Sequence, residues 1–175
     1  MDFSIAKINV TANSGFTKTC CGLPEYRPPE MIQGQSYGRS ADIWTMGIFL
    51  YELLFGMPPF RENNITNLYK KIIFNSIDFN ANNLTISDDA KDLISKMLEK
   101  NCKKRITLKD IKNHPFFKDV SFEEIFLQSK ESPIKPESQG DNEFRYIDPD
   151  YLELNPNDSF IAFGGPTLKN EFDNF

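Results

Sequence analysis

Few side chains in this sequence are of the types that carry nucleophilic or metal chemistry. It has three cysteines, Cys20, Cys21 and Cys102, and a single histidine, His114. Because the cysteines are odd in number and two of them are adjacent, they form neither a disulfide framework nor a metal-ligand pattern. They indicate a reducing, intracellular setting, so we expect a cytoplasmic location. One histidine leaves little scope for histidine-dependent catalysis, and we expect His114 to have a structural role at a helix end.

The element that must position any functional site is the stretch Ser40–Phe55. Ser40 is predicted as its N-cap, Asp42 lies in the first turn where the helix dipole favours negative charge, and Gly56 marks its end. Apolar residues occur on all sides between these signals, which predicts a helix that is buried on all sides. A membrane helix is the alternative, but the stretch is short and acidic residues interrupt it. We therefore predict a mainly α domain packed around one central helix.

Further helices are predicted where apolar residues recur at helical spacing. Their expected spans are 29–33, 65–73, 87–98, 107–114 and 121–126. Ser87, Thr107 and Ser121 are the predicted N-caps of the last three, because an acidic residue follows within the first turn of each. In the helix that starts at Thr107, Leu108 and Ile111 are expected to face the core.

Length and charge restrict the class of protein. A chain of 175 residues with 39% hydrophobic residues suits one domain with an appendage. The net charge of −5 argues against binding to nucleic acid or to an anionic membrane, and we expect neither a signal peptide nor a transmembrane segment. Prolines and spaced aromatic residues replace helical periodicity near residue 130. The predicted division is therefore a domain at 1–129 and an extended, irregular tail at 130–175.

Several motifs occur in the order found in protein kinases of the AGC group. Residues 2–4 read D-F-S and resemble the D-F-G motif, and residues 19–30 read T-C-C-G-L-P-E-Y-R-P-P-E and resemble the activation segment. Residues 37–47 resemble the run that leads into the central helix, and residues 160–163, F-I-A-F, resemble the F-x-x-F hydrophobic motif. The sequence is thus similar to the C-terminal lobe and tail of an AGC Ser/Thr kinase, nearest to protein kinase B and the serum- and glucocorticoid-regulated kinases.

This resemblance implies a role for each matching residue of the lobe. Asp2 would hold Mg²⁺ at the phosphates of ATP. Thr19 would be phosphorylated by an upstream activating kinase, which would order the loop by adding charge. Glu30 and Arg105 would form a buried ion pair that ties the activation segment to the helical base. Asp42 would accept backbone N–H bonds from the catalytic loop.

The resemblance also implies binding surfaces for other proteins. Gly22, Leu23 and Pro24 would form the loop that contacts the protein substrate. Phe160 and Phe163 would dock on a groove of an upstream kinase, as aromatic anchors of an otherwise polar tail. Protein substrates and an upstream kinase are therefore the expected partners.

The resemblance is incomplete in two respects. The sequence has no Gly-rich phosphate loop, V-A-I-K lysine or H-R-D catalytic loop, so we expect a fragment of a longer parent that begins at the D-F-G motif and lacks the N-lobe. Leu23 replaces a threonine, Ser4 a glycine, Ile147 a phenylalanine and Gly164 a phosphorylatable residue. These departures leave an alternative open, a pseudokinase that binds partners through the lobe and the F-x-x-F tail without catalysis.

Overall fold

The computed structural model describes residues 6–7, 10, 16–81, 84–135 and 147. Internal contacts divide the chain into two units, Met1–Leu127 and Gln128–Phe175. In the first unit the helices are α1 (Pro29–Ile32), α2 (Ser40–Phe55), α3 (Ile65–Phe74), α4 (Asp88–Met97), α5 (Leu108–Lys112) and α6 (Phe122–Phe126), with 3₁₀ turns at Pro24–Tyr26 and Pro115–Phe117. No strand occurs among the described residues, so the prediction of a mainly α fold is confirmed.

The central helix α2 begins and ends close to the predicted residues, but its N-cap differs from the prediction. Gly56 has a left-handed φ of 76°, and its N–H bonds to the Glu52 carbonyl at 2.8 Å. Ser40, predicted as the N-cap, is the first helical residue, and the N-cap residue is Arg39, whose side chain makes no capping hydrogen bond. The physical reason is that the preceding turn already satisfies the first N–H groups. Ala41 N donates to the Gly38 carbonyl at 3.0 Å, and Asp42 N donates to the Arg39 carbonyl at 3.1 Å.

One side of α2 forms the centre of the core. Its buried residues are Ala41, Ile43, Trp44, Gly47, Ile48, Tyr51 and Phe55. The opposite side is not buried: Met46, Phe49 and Leu53 are 45, 53 and 66% exposed. These three residues are spaced three and four apart and therefore form one apolar stripe along the helix, here called the exposed stripe. The prediction that α2 is buried on all sides is wrong for the described part of the chain.

Helices α3 and α4 supply the other walls of this core. Leu68 and Ile72 of α3, and Leu93, Ile94 and Met97 of α4, are buried. Ser87 caps α4 as predicted, accepting from Ala90 N at 3.2 Å.

Helices α2 and α4 lie close together at Gly47. A Cβ atom placed on Gly47 would lie 2.9 Å from the Met97 Cβ and from Leu98 Cδ2. Glycine therefore permits the two helices to pack more closely than any other residue would.

The short C-terminal helices follow their predicted caps. Thr107 accepts from Asp110 N at 3.3 Å, and Ser121 accepts from Glu124 N at 3.2 Å. Ile111 faces the core as predicted, whereas Leu108 is 53% exposed. The inward orientation predicted for Leu108 is wrong, because a helix of five residues presents only one side to the core and Ile111 occupies that side.

The lysine at the end of α4 contacts the core directly. Lys100 Nζ lies 4.1 Å from the centre of the Phe60 ring and 5.0 Å from that of Trp44, and it donates to the Ile72 carbonyl at 2.5 Å. Burial, followed by the positive charge of Arg105, lowers the pKa of Lys100 to about 8.

The lowered pKa of Lys100 predicts a dependence of stability on pH. Between pH values of about 8 and 10.5, the Lys100 amine is protonated in the unfolded chain, where its pKa is near 10.5, but mostly neutral in the folded chain. The free energy of unfolding should therefore rise as the pH increases from about 8 to about 10.5. Replacing Lys100 with methionine removes this contribution. The free energy of unfolding of the wild type minus that of Lys100→Met should therefore rise across this window in urea titrations, and a constant difference would contradict the pKa.

The described residues of the second unit include two local contacts. Ser132 Oγ donates to the Ile134 carbonyl at 2.7 Å, and Lys135 forms an ion pair with Glu131. Across the described residues of both units, no helix is long and apolar enough to cross a membrane.

Candidate functional site

The structure brings Glu30 and Arg105 together in a bidentate ion pair. Arg105 Nη1 lies 2.7 Å from Glu30 Oε1, and Nη2 lies 2.9 Å from Oε2. The two side chains are 0 and 3% exposed. The planar guanidinium matches the two carboxylate oxygens, which is the geometry that only arginine supplies.

Arg105 also donates hydrogen bonds to two further parts of the fold. Nη1 also donates to the Ser40 carbonyl at 2.8 Å, and Nε donates to the Glu99 carbonyl at 3.0 Å. The guanidinium carbon lies 5.1 Å from the centre of the Trp44 ring. Arg105 therefore fixes α1 against the start of the central helix and the end of α4.

The segment before α1 is held by a bridge to residue 37. Thr17 and Tyr37 exchange two backbone hydrogen bonds of 3.0 Å, and the Tyr37 hydroxyl donates to the Thr19 carbonyl. Thr17 is buried, at 7% exposure, whereas Thr19 is exposed. The polar, aperiodic run at residues 9–19 predicts a long exposed loop, and this prediction is wrong at Thr17.

A lysine that the sequence did not single out lies beside Thr19. Lys7 Nζ is 2.8 Å from Thr17 Oγ1 and 3.4 Å from Thr19 Oγ1. A phosphate on Thr19 would meet this ammonium group within hydrogen-bonding reach. No periodic pattern could have indicated this contact, because it joins two loop segments through side chains.

The loop of Gly22, Leu23 and Pro24 is fixed from one side by Arg27. Gly22 has a φ of 79°, and its carbonyl accepts from Arg27 Nη2 at 2.8 Å. Leu23 is 66% exposed and immediately precedes the 3₁₀ turn that starts at Pro24. Arg27 Nη1 also bonds to the Tyr69 hydroxyl at 2.6 Å, which anchors this loop to α3. The loop is thus a supported and accessible surface.

A second contact joins this 3₁₀ turn to the central helix. The Tyr26 hydroxyl donates to Glu52, and this carboxylate raises the pKa of Tyr26 to about 12. The phenol is therefore protonated at neutral pH and keeps its hydrogen bond.

Asp42 is placed in the first turn of α2, where its side chain is partly exposed. Partial burial raises the pKa of Asp42 above the usual aspartate value. Its carboxylate has no hydrogen-bond partner among the described residues. Asp2, Phe160 and Phe163, the remaining predicted site residues, lie outside the described residues.

His114 has a structural role, as the sequence predicted. It is buried, its Nδ1 accepts from Phe116 N at 3.2 Å, and its Nε2 lies 2.9 Å from Asp92 Oδ2. Because Nδ1 accepts, the proton of the neutral ring is on Nε2 and is donated to Asp92. Hydrogen bonds from Lys96 and then His114 lower the pKa of Asp92. The described part of the chain contains no group of three or more side chains that would hold a metal ion.

Comparison with known proteins identifies relatives of this chain. A family model described as the protein kinase domain matches residues 1–117. The serine/threonine-protein kinase gad8 of Schizosaccharomyces pombe is 36% identical over 164 residues, which cover 92% of this chain and 28% of that protein. The serine/threonine-protein kinase Sgk1 of Fundulus heteroclitus is 36% identical over 156 residues, covering 87% of this chain and 35% of Sgk1.

A third relative is the RAC family serine/threonine-protein kinase homolog of Dictyostelium discoideum, 35% identical over 156 residues, covering 89% of this chain and 34% of that protein. The chain therefore spans about a third or less of the length of these curated relatives. The family model and these relatives lead to one assignment. The chain belongs to the protein kinase family, within the AGC group of Ser/Thr kinases.

Proposed function

We propose that this chain supplies the helical lobe and activation segment of a Ser/Thr protein kinase. In the complete enzyme it would help transfer the γ-phosphate of ATP to a Ser or Thr hydroxyl of a protein substrate. The observation that carries this proposal is the buried Glu30–Arg105 pair. It fixes the segment that contains Thr19 and the accessible loop at Leu23, which are the two parts that a kinase exposes to other proteins.

ATP and Mg²⁺ are the implied cofactors. Asp2 would hold the metal ion, since carboxylate oxygens are the ligands that Mg²⁺ prefers, and the bound metal would neutralise charge at the phosphates. The residues of the chain that the structure describes have another task, which is to position the substrate loop and the activation segment.

Two features of α2 support a larger parent domain. The exposed stripe is an uncovered apolar surface on the central helix, and Asp42 next to it has a carboxylate without a described partner. In a longer kinase the remainder of the domain would cover the stripe and supply N–H donors to Asp42.

Phosphorylation of Thr19 tests the proposed function. An AGC-activating kinase domain incubated with the 175-residue chain and ATP should phosphorylate Thr19, because its hydroxyl is exposed and beside Lys7. Phosphopeptide mass spectrometry should find the modification in the wild type and in Thr17→Ala, and lose it in Thr19→Ala. Equal phosphorylation of Thr19→Ala and wild type would contradict the assignment. Lys7→Ala should lose the phosphate faster when a phosphatase is added.

The same reaction tests the proposed role of the tail. If Phe160 and Phe163 dock on the activating kinase, replacing both with alanine should slow Thr19 phosphorylation by about tenfold or more, since aromatic anchors contribute much of the energy of such interfaces. A peptide spanning 155–170 should compete with the wild-type chain. Unchanged phosphorylation of the double variant would exclude the tail as the docking segment while leaving the assignment of Thr19 intact.

A further inference from the structure

Positive charge is concentrated in one stretch of this acidic chain. Residues 96–118 contain eight lysines and arginines and two acidic residues, a net charge of +6 in a protein whose total is −5. The rest of the chain therefore carries −11. The exposed lysines of the stretch are Lys96, Lys103, Lys104, Lys109, Lys112 and Lys118. Charge that is segregated in this way favours a partner of the opposite sign.

Most of these exposed lysines are not neutralised within the fold. Lys96 pairs with Asp92 at 2.6 Å, whereas the other five form no ion pair with any residue that the structure describes. The one arginine of the stretch, Arg105, is buried and committed to Glu30. The positive charge that remains available to a partner is therefore carried by lysines at the surface.

A cavity of about 450 Å³ opens among these lysines, where the end of α4 meets α5. We call it the lysine cavity, and its lining includes Lys96, Lys104, Ile106, Asp110, Asn113 and Pro115. The lining is thus mixed, with two ammonium groups, one carboxylate, one amide and two apolar side chains. Such a set suits a ligand that has both charged and apolar parts.

Hydrogen bonds hold the walls of the lysine cavity in place. Lys96 Nζ and His114 Nε2, which belong to opposite ends of the lining sequence, both bond to Asp92 Oδ2, at 2.6 and 2.9 Å. Ile106 N donates to the Lys96 carbonyl at 3.3 Å. A ligand would therefore meet walls that are already ordered, which lowers the entropy cost of binding.

We propose that the lysine cavity and the exposed lysines beside it bind an acidic peptide segment of a partner protein. An apolar side chain of the segment enters the cavity and contacts Ile106 and Pro115. Its carboxylates pair with Lys104 and with Lys109 and Lys112, the two lysines of α5. None of these residues belongs to the segment of Thr19 and Leu23, so this surface is separate from those of the proposed kinase function.

The lining favours a peptide over a phosphate-rich polyanion such as a nucleic acid or an anionic membrane. The Asp110 carboxylate would repel phosphate groups, but it can accept a backbone N–H from a peptide. The Asn113 side chain offers a further polar partner for a peptide backbone. A concave site with apolar side chains also gives no advantage in binding to a flat lipid surface.

The test is binding of fluorescein-labelled peptides to the whole chain, measured by fluorescence polarisation. Each peptide has a short run of glutamates on both sides of a central leucine, phenylalanine or glycine. The leucine or phenylalanine peptide should bind about fivefold or more tightly than the glycine peptide, because only the former buries an apolar side chain. Binding should weaken strongly when the salt concentration is raised to about 0.5 M.

Lys104→Glu and Lys70→Glu form a matched pair of variants for this assay. Both lysines are exposed and both substitutions change the net charge equally, but only Lys104 lines the cavity, since Lys70 belongs to α3. Lys104→Glu should weaken binding by about fivefold or more, and Lys70→Glu by less than about twofold. Circular dichroism should show that both variants are folded, since neither residue is buried.

Three results would overturn the proposal. The first is the absence of saturable binding by any peptide of the set. The second is an equal effect of Lys104→Glu and Lys70→Glu, or equal binding of the leucine, phenylalanine and glycine peptides, since binding would then reflect diffuse charge and not the cavity. The third is binding to phosphatidylserine vesicles or to heparin that Lys104→Glu weakens while the peptides do not compete, which would assign the surface to a polyanion.

Discussion

Replacing Arg105 with alanine is expected to lower the free energy of unfolding by about 3–5 kcal/mol. The substitution leaves the Glu30 carboxylate buried without its bidentate partner and removes the donors to the Ser40 and Glu99 carbonyls. An uncompensated buried charge is among the most destabilising changes that a single substitution can make. Urea denaturation followed by circular dichroism measures the effect.

Two further variants test whether the loss of stability comes from the buried ion pair or from the removal of a positive charge in general. Lys104 is adjacent and exposed, so Lys104→Ala should change stability by no more than about 0.5 kcal/mol. The double variant Glu30→Met/Arg105→Met should recover most of the loss, because well-packed apolar residues often replace a buried ion pair at little cost. Equal small effects of Arg105→Ala and Lys104→Ala would contradict the burial of the pair.

Gly47→Ala is expected to destabilise the fold by roughly 1–3 kcal/mol through overpacking. In an exposed helix the same substitution would stabilise by about 1 kcal/mol, so the sign of the effect distinguishes the two cases. The new Cβ would lie 2.9 Å from the Met97 Cβ, which belongs to the neighbouring helix and cannot rotate away. Thermal unfolding of the variant against the wild type gives the sign directly.

Gly38→Ala is the matched control for this prediction. Its added Cβ would lie 3.7 Å from the Phe16 ring, an ordinary van der Waals contact, so a change within about 0.5 kcal/mol is expected. If Gly47→Ala instead stabilised the fold as much as the same substitution does in an exposed helix, α2 and α4 would have to lie further apart than described.

Local signals were sufficient to predict the helices. The caps at Ser87, Thr107 and Ser121 act on N–H groups within three residues, so spacing in the sequence reveals them. Ser40 has the same chemistry but is not a cap, because the turn before it already satisfies those groups. The rule that predicts an N-cap uses only the residue types near the helix start. It takes no account of the hydrogen bonds that the turn before Ser40 already makes.

Burial was harder to predict than helix position, for a reason that the central helix illustrates. The residues of the exposed stripe are as apolar as those on the buried side, so composition does not indicate which side meets the core. The family resemblance led to Glu30 and Arg105, but not to Lys7 or Lys100. The properties of these two lysines depend on contacts between segments far apart in the chain, which no spacing rule describes.

The ion pair also has a consequence for the order of folding. Glu30 and Arg105 are 75 residues apart in sequence, and their contact closes a loop that contains α2, α3 and α4. Closing so long a loop costs conformational entropy before the ion pair can stabilise the chain. The pair is therefore expected to form after the rate-limiting step of folding. Arg105→Ala should then leave the refolding rate nearly unchanged and accelerate unfolding in proportion to its full effect on stability. Arg105 would thus determine how slowly the folded chain unfolds, and not how fast it folds.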